Sequence, residues 1–229
     1  MTTIAPLLLA DGRLPVGGHA YSAGLEPALA AGLTADQVPD FVAARLTTVG
    51  RMEAAATVLS HRRAQVAGSG GPVQRGDSLQ AIQREVLART ASQPLRQASG
   101  RLGRGLLRLI DRCWPLAASA RELRDLDGEP QRPVALGVAC ALSSMSEAEA
   151  ARICFYDDAQ TVCSAALKLM PVDPLEPVGW LLAKASMIEQ LVDEAVRVSG
   201  ATALPALTAP LIEQWSLIHD LSHRRIFSA

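Results

Sequence analysis

The chain has 229 residues, a net charge of −1 and a composition led by 39 Ala and 32 Leu. That length buries a core without disulfide staples, and the 3% aromatic and 49% hydrophobic content argues against both a β-sandwich and a disordered chain. The near-zero charge excludes a global attraction to nucleic acid or to an anionic membrane, although it hides net values of −3 for residues 1–44, +7 for 45–132 and −5 for 133–229.

Near the N-terminus, Asp11 and Pro15 interrupt a short apolar run that has no basic flank, so no signal peptide is read. Pro15, Gly17 and Gly18 make a defined turn before a helix expected over Tyr21–Ala31. Thr34-Ala-Asp-Gln37 is a capping box that opens a segment to about Val66, with a break near Pro39 or Gly50. Gly68–Pro72 reads as a flexible loop, and Asp77 or Ser78 starts a helix to about Thr90. Residues 93–113 form a helix with Leu102, Leu106, Leu109, Ile110 and Cys113 on one face. Arg101, Arg104, Arg108 and Arg112 form a stripe on another.

Glu129–Pro133 is a turn, and the apolar residues 134–144 suit a buried helix. The longest apolar run, Val134–Leu142, has nine residues, against the roughly 18 that a membrane span requires. Ser146-Glu-Ala-Glu149 is a second capping box, opening a helix to about Leu169. Asp173, as N-cap before Pro174 and Glu176, opens a helix that ends near Gly200. A last helix follows Pro210 and runs to about His223. These elements predict one all-α globular domain over 1–229, with about eight to ten helices.

The usual catalytic fingerprints are missing. The sequence has no phosphate-cradling G-x-x-x-x-G-K-[ST] loop, no G-x-S-x-G elbow and no C-x-x-C pair. Cys113, Cys140, Cys154 and Cys163 read as reduced, buried, inert thiols of a cytoplasmic protein. His219 and His223 stand one helical turn apart, but their neighbours complete no ligand set, so neither a catalytic nor a metal site is assigned.

Three segments stand out instead. Leu14–Glu26 combines the Pro-Gly-Gly turn with Tyr21, Ser22, Gly24 and Glu26. Leu167–Pro171 holds Lys168, one of two lysines against 20 arginines, and a lysine is a flexible point charge where arginine is a planar fork. The tail places Ile226 and Phe227 after Arg224 and Arg225. Such a pair is either an interface anchor or a piece of the chain's own core.

Together these segments resemble the UreF family of urease accessory proteins. Residues 14–26 match its opening L-P-[IV]-G-[GS]-x-x-x-S-x-G-L-E, and Arg96, Ser99 and Gly103 fall within a block similar to its R-x-A-S-x-x-x-G-x-x-L-L. Pro133–Gly137 is similar to its P-V-x-x-G, Lys168–Pro171 to its K-x-x-P turn, and Arg225–Ser228 to its terminal R-[LI]-F-x-S with Ser one position early. Two departures are Ala23, where the family commonly has Phe, and Val172-Asp173-Pro174, where it continues with Leu-Gly-Gln.

The resemblance implies an all-α, non-enzymatic assembly factor that bridges a UreD/UreH-type scaffold and the GTPase UreG. That assembly would deliver nickel to apo-urease, with nickel and GTP handled through partners, and the factor itself would dimerise. It also implies that Pro15, Gly17, Gly18, Tyr21, Ser22, Gly24 and Glu26 shape a surface for UreG or a second copy. Lys168 would act on the GTPase, and residues 224–229, through Arg224, Arg225, Ile226 and Phe227, would anchor in the scaffold. The reading from another class is a helical DNA-binding regulator that uses the Arg101/Arg104/Arg108/Arg112 stripe. No helix-turn-helix is evident to support it.

Overall fold

The computed structural model describes residues 4–69, 78–207, 209–222 and 226–227. Among these residues there are twelve α-helices and no strand, so the all-α expectation holds. The helix count exceeds the expected eight to ten, because the segment read as continuous after Asp173 is divided, the Thr34 segment breaks as expected, and two short helices were not anticipated.

The short α1 (Ala5–Leu9) is one of the unanticipated pair and carries Pro6 in its first turn. The helix expected from Tyr21 begins only at Leu25, as α2 (Leu25–Ala30). Ala23 and Gly24 take left-handed backbone, at φ 53° and 82°, and cannot belong to a right-handed helix.

The Thr34 box is present, with the Thr34 amide donating to Gln37 Oε1 at 2.9 Å. It opens a 3₁₀ turn and then α3 (Val38–Arg45). The predicted break near Gly50 is a π turn over Leu46–Gly50, followed by α4 (Arg51–Ser69). The Thr47 and Thr48 hydroxyls donate to the carbonyls of Ala43 and Ala44, at 2.8 and 2.6 Å. This competition for backbone acceptors accompanies the widened turn. Helix α4 includes Gly68 and Ser69; the rest of the expected loop, with Asp77, lies outside the described residues.

Ser78 caps α5 (Leu79–Ala88) by accepting from the Ala81 amide at 3.1 Å. The helix expected over 93–113 is α6 (Gln93–Cys113), capped by Ser92. Its apolar face buries Leu102, Leu106 and Ile110, but Cys113 at its end is exposed rather than buried. The unanticipated α7 (Ala118–Arg124) leads to α8 (Arg132–Leu142), buried along nearly its whole length. Ser146 and Glu149 form the expected box at the start of α9 (Glu147–Leu169).

Asp173 does not cap the next helix. Its carboxylate accepts from the Leu175 amide at 2.8 Å in a turn, and α10 (Glu176–Ala183) starts two residues later than predicted. A helix begun at Pro174 would need an N–H from Pro177, which has none; the later start puts Pro177 in the first turn, where no donor is required. The chain breaks again at Lys184, and α11 (Ala185–Ala195) stops short of Gly200. The last helix, α12 (Pro210–Asp220), ends three residues before the predicted His223, which lies outside the described residues.

One continuous core draws on residues from Leu9 to Phe227. At its centre α8 packs on both α4 and α6, and α9 packs on α4. Alanines 54, 55, 56, 135 and 139 are all buried there, so small side chains let the helix axes approach closely. A Cβ on Gly137 would lie 2.2 Å from the Thr57 carbonyl oxygen, and one on Gly103 would lie 1.9 Å from that of Pro130. In both places the neighbour is backbone and cannot swing aside.

Gly103→Ala is therefore expected to lower unfolding stability by about 3 kcal/mol in denaturant titrations. Gly179→Ala in α10, where an added Cβ meets nothing within 4 Å, is expected to be neutral or stabilising by up to about 1 kcal/mol.

Candidate functional site

The Leu14–Glu26 segment is shaped by backbone conformation. Gly17, at φ 100°, precedes a 3₁₀ turn over Gly18–Ala20, and Tyr21 is extended. The two left-handed residues Ala23 and Gly24 then reverse the chain into α2. Only glycine takes that conformation freely, and Ala23 occupies it fully buried, held by its surroundings. Ser22 is buried as well, and its hydroxyl accepts from the Glu26 amide at 3.5 Å. The reversal leaves Glu26 in the first turn of α2 with its carboxylate facing the C-terminal tail.

That carboxylate holds the tail. Its Oε1 accepts from the Ile226 amide at 2.6 Å and its Oε2 from the Phe227 amide at 2.8 Å. Charge-assisted bonds of this kind are stronger than neutral ones. His219 of α12 closes the other side, with Nε2 3.3 Å from the Phe227 carbonyl oxygen and 3.6 Å from Glu26 Oε2. Facing two oxygens, Nε2 carries the ring proton.

Lys168, near the end of α9, completes the clasp. Its Nζ lies 5.1 Å from the centre of the Phe227 ring and donates to the His19 carbonyl at 3.3 Å. At an exposed position such a cation–π contact contributes about 0.5–1 kcal/mol. Phe227 is only 3% exposed, whereas Ile226 beside it is 68% exposed. The two tail readings thus divide between adjacent residues: Phe227 joins the core, and Ile226 faces outward.

Beneath the clasp runs a groove of about 620 Å³, lined by His19, Tyr21, Asp157, Asp158, Lys168 and Phe227 among others. Arg132, Asp157 and Asp158 in its lining belong to a network of paired charges, most of it buried. Arg45 pairs with Asp158, with Nε at 3.2 Å from Oδ2. Arg132 pairs with Glu53 and with Asp157, the latter at 2.6 Å. Burial opposes the charge on Arg45, but the facing Asp158, together with Tyr21 and Glu53, outweighs it and holds the guanidinium above its ordinary value. Burial also pushes the Glu53 carboxyl and the Tyr21 phenol up, and the Cys154 thiol up to about 12. Cys154 is therefore a neutral thiol at physiological pH.

The structure brings Glu26, Lys168, Ile226 and Phe227 together, although they come from three separate segments. Ser22 and Gly24 are buried supports, Tyr21 is half-buried, and Pro15, at the rim of the turn, is exposed. Arg224 and Arg225 lie outside the described residues. Arg45, Glu53, Arg132, Asp157, Asp158 and His219 went unassigned in the sequence. Each sits in an ordinary helical context, and their one shared signal is that they are charged or titratable positions on faces that must be buried. Among the described residues, no three His, Cys, Asp or Glu side chains converge to hold a metal ion, and no helix is long and apolar enough to cross a membrane.

Among the described residues, the fold and the clasp define an all-helical protein whose most organised polar feature fastens its own tail. The comparisons give the family. The UreF family model matches residues 33–184. The chain is 31% identical over 232 residues to the urease accessory protein UreF of Mycolicibacterium vanbaalenii, covering 100% of both chains. It is 32% identical over 230 residues to the UreF proteins of Mycobacterium bovis and Mycobacterium tuberculosis, covering 99% of each. The chain belongs to the UreF family of urease accessory proteins, whose role lies in urease maturation.

Replacing Arg45 by Met would leave Asp158 buried without a counter-charge, at an expected cost of about 3–5 kcal/mol in chemical denaturation. Adding Asp158→Leu to that variant is expected to recover most of the loss.

Proposed function

We propose that this chain is a non-enzymatic assembly factor, one folded unit over residues 1–229, that bridges a UreD/UreH-type scaffold and the GTPase UreG during GTP-dependent insertion of nickel into apo-urease. It works in the cytoplasm, nickel is the cargo, and the GTP chemistry resides on the partner. The observation that carries this reading is the clasp: the three segments of the family resemblance meet at Glu26, Lys168 and Phe227.

Each role follows from exposure and chemistry. Ile226 is exposed, as are Ile218 in α12 and Leu221 just after that helix. These apolar side chains suit the scaffold, and Arg224 and Arg225, which precede Ile226 in the sequence, would contribute charge to the same anchor. Glu26 and Phe227 act by holding the tail in place. Lys168 is exposed on the rim of the groove and serves the GTPase partner, supported by the turn through Pro15, Gly17, Gly18, Tyr21, Ser22 and Gly24. A second copy of the chain has a candidate face on α10, where Leu175, Val178 and Leu182 are exposed one turn apart.

Pull-down with the scaffold subunit tests the tail. Truncation after His223 is expected to abolish copurification. Ile226→Asp, at an exposed position that leaves Phe227 in the core, is expected to weaken it at least about tenfold with an unchanged melting temperature. Undiminished binding by both variants would overturn the tail's role.

Lys168→Ala is expected to lower urease activation and UreG copurification strongly, with at most about a fivefold loss of scaffold binding from the lost contact to Phe227. Full activation by this variant would count against the lysine's role.

A further inference from the structure

The arginine stripe on α6 takes no part in the clasp. Arg101, Arg104, Arg108 and Arg112 are all exposed. Their spacing of three or four residues keeps them in one line roughly 16 Å long. Helix α6 is locked to the body of the protein at two places, Gly103 roughly opposite the stripe and Gly105 on its flank. A Cβ on Gly105 would lie 2.4 Å from the Val16 carbonyl oxygen, as one on Gly103 would meet that of Pro130. The stripe is thus displayed from a helix that cannot shift without breaking close backbone packing.

Four like charges one turn apart repel each other and weaken a helix, and the fold compensates little of this. Arg104 pairs with Glu129 at 2.7 Å. Asp111, the acidic residue nearest the far end of the stripe, pairs instead with Arg124 of α7 at 2.8 Å. Among the described residues, Arg101, Arg108 and Arg112 have no ion-pair or hydrogen-bond partner.

We propose that this stripe is a docking surface for an acidic helix of a partner protein that presents carboxylates at matching three- or four-residue spacing. The Arg104–Glu129 pair shows the preferred chemistry, since one guanidinium of the line already holds a carboxylate. A planar fork suits a carboxylate better than a point charge does. A nucleic acid fits less well. One line of this length meets only a few phosphates, so counterion release is small. This surface is independent of the clasp and of the partners assigned to it.

Fluorescence anisotropy on the full chain tests the assignment. The probe is a labelled helical peptide about three turns long with glutamate at every fourth position, and its glutamine counterpart is the control. The glutamate peptide is expected to bind, to weaken steeply with added salt, and to lose at least about tenfold in affinity in the triple variant R101Q/R108Q/R112Q. The triple variant's melting temperature should equal or slightly exceed that of the parent, because the three side chains are solvent-exposed and their mutual repulsion is removed. The charge-reversed triple variant R101E/R108E/R112E is expected to bind a lysine version of the peptide instead. Absence of binding, equal binding by parent and triple variant, or equal binding of the glutamine peptide overturns the proposal. Tighter binding of a short DNA duplex at the same ionic strength also overturns it and reassigns the stripe to nucleic acid.

Discussion

Arg132 ties four helices together. It opens α8, and its backbone amide donates to Ser99 of α6 at 3.0 Å. Its guanidinium reaches Glu53 of α4 and Asp157 of α9. A charge this deeply buried is tolerable only when fully paired, so the three helices around α8 are held at the distances that complete the set. The alanine-rich faces and the close approach at Gly137 let the helices come near enough. Hydrophobic contact between such small side chains is permissive about register, and the arginine selects one arrangement.

The functional site is built on that arrangement. Arg45 and Asp158 lie next to the Arg132 set and under Tyr21, so the turn of residues 14–26 rests on a rigid charged network. Asp158 precedes Lys168 on α9 by nearly three helical turns, and the same helix that anchors the network presents the lysine at the rim. Position on a stiff element explains how one side chain can meet both the His19 carbonyl and the Phe227 ring. The UreF family's separated sequence blocks converge here because α9 carries one block and supports the other two.

Much of the fold was legible because local chemistry decides it. Both capping boxes form, and α6 and α9 have the bounds their caps and periodicity suggest. The failures have local physical causes too. Pro177 displaced a helix start that Asp173 seemed to define, and left-handed backbone at Ala23 and Gly24 removed the first turn of the helix expected from Tyr21. The site was legible only as three separate segments. Their meeting depends on contacts across up to about two hundred positions, which no periodicity encodes. The resemblance supplied the residue names, but that Glu26 binds tail amides, that Phe227 is inside and that His219 closes the clasp are facts of packing. The buried ion pairs were the least visible, since an arginine bound for the core looks in sequence like one bound for solvent.

The Glu26 clasp joins position 26 to positions 226 and 227, so the chain is closed noncovalently almost end to end. Closing a loop of that size carries an entropic cost that grows only slowly with length, and a few charge-assisted bonds are of the right order to offset it. Such a closure makes the two ends of the molecule thermodynamically reciprocal. A ligand that draws the tail off Glu26 also exposes two carboxylate oxygens and the His219 ring, and a ligand for those groups favours release of the tail by the same factor. The opening segment and the tail, 200 positions apart in the sequence, behave as one binding unit.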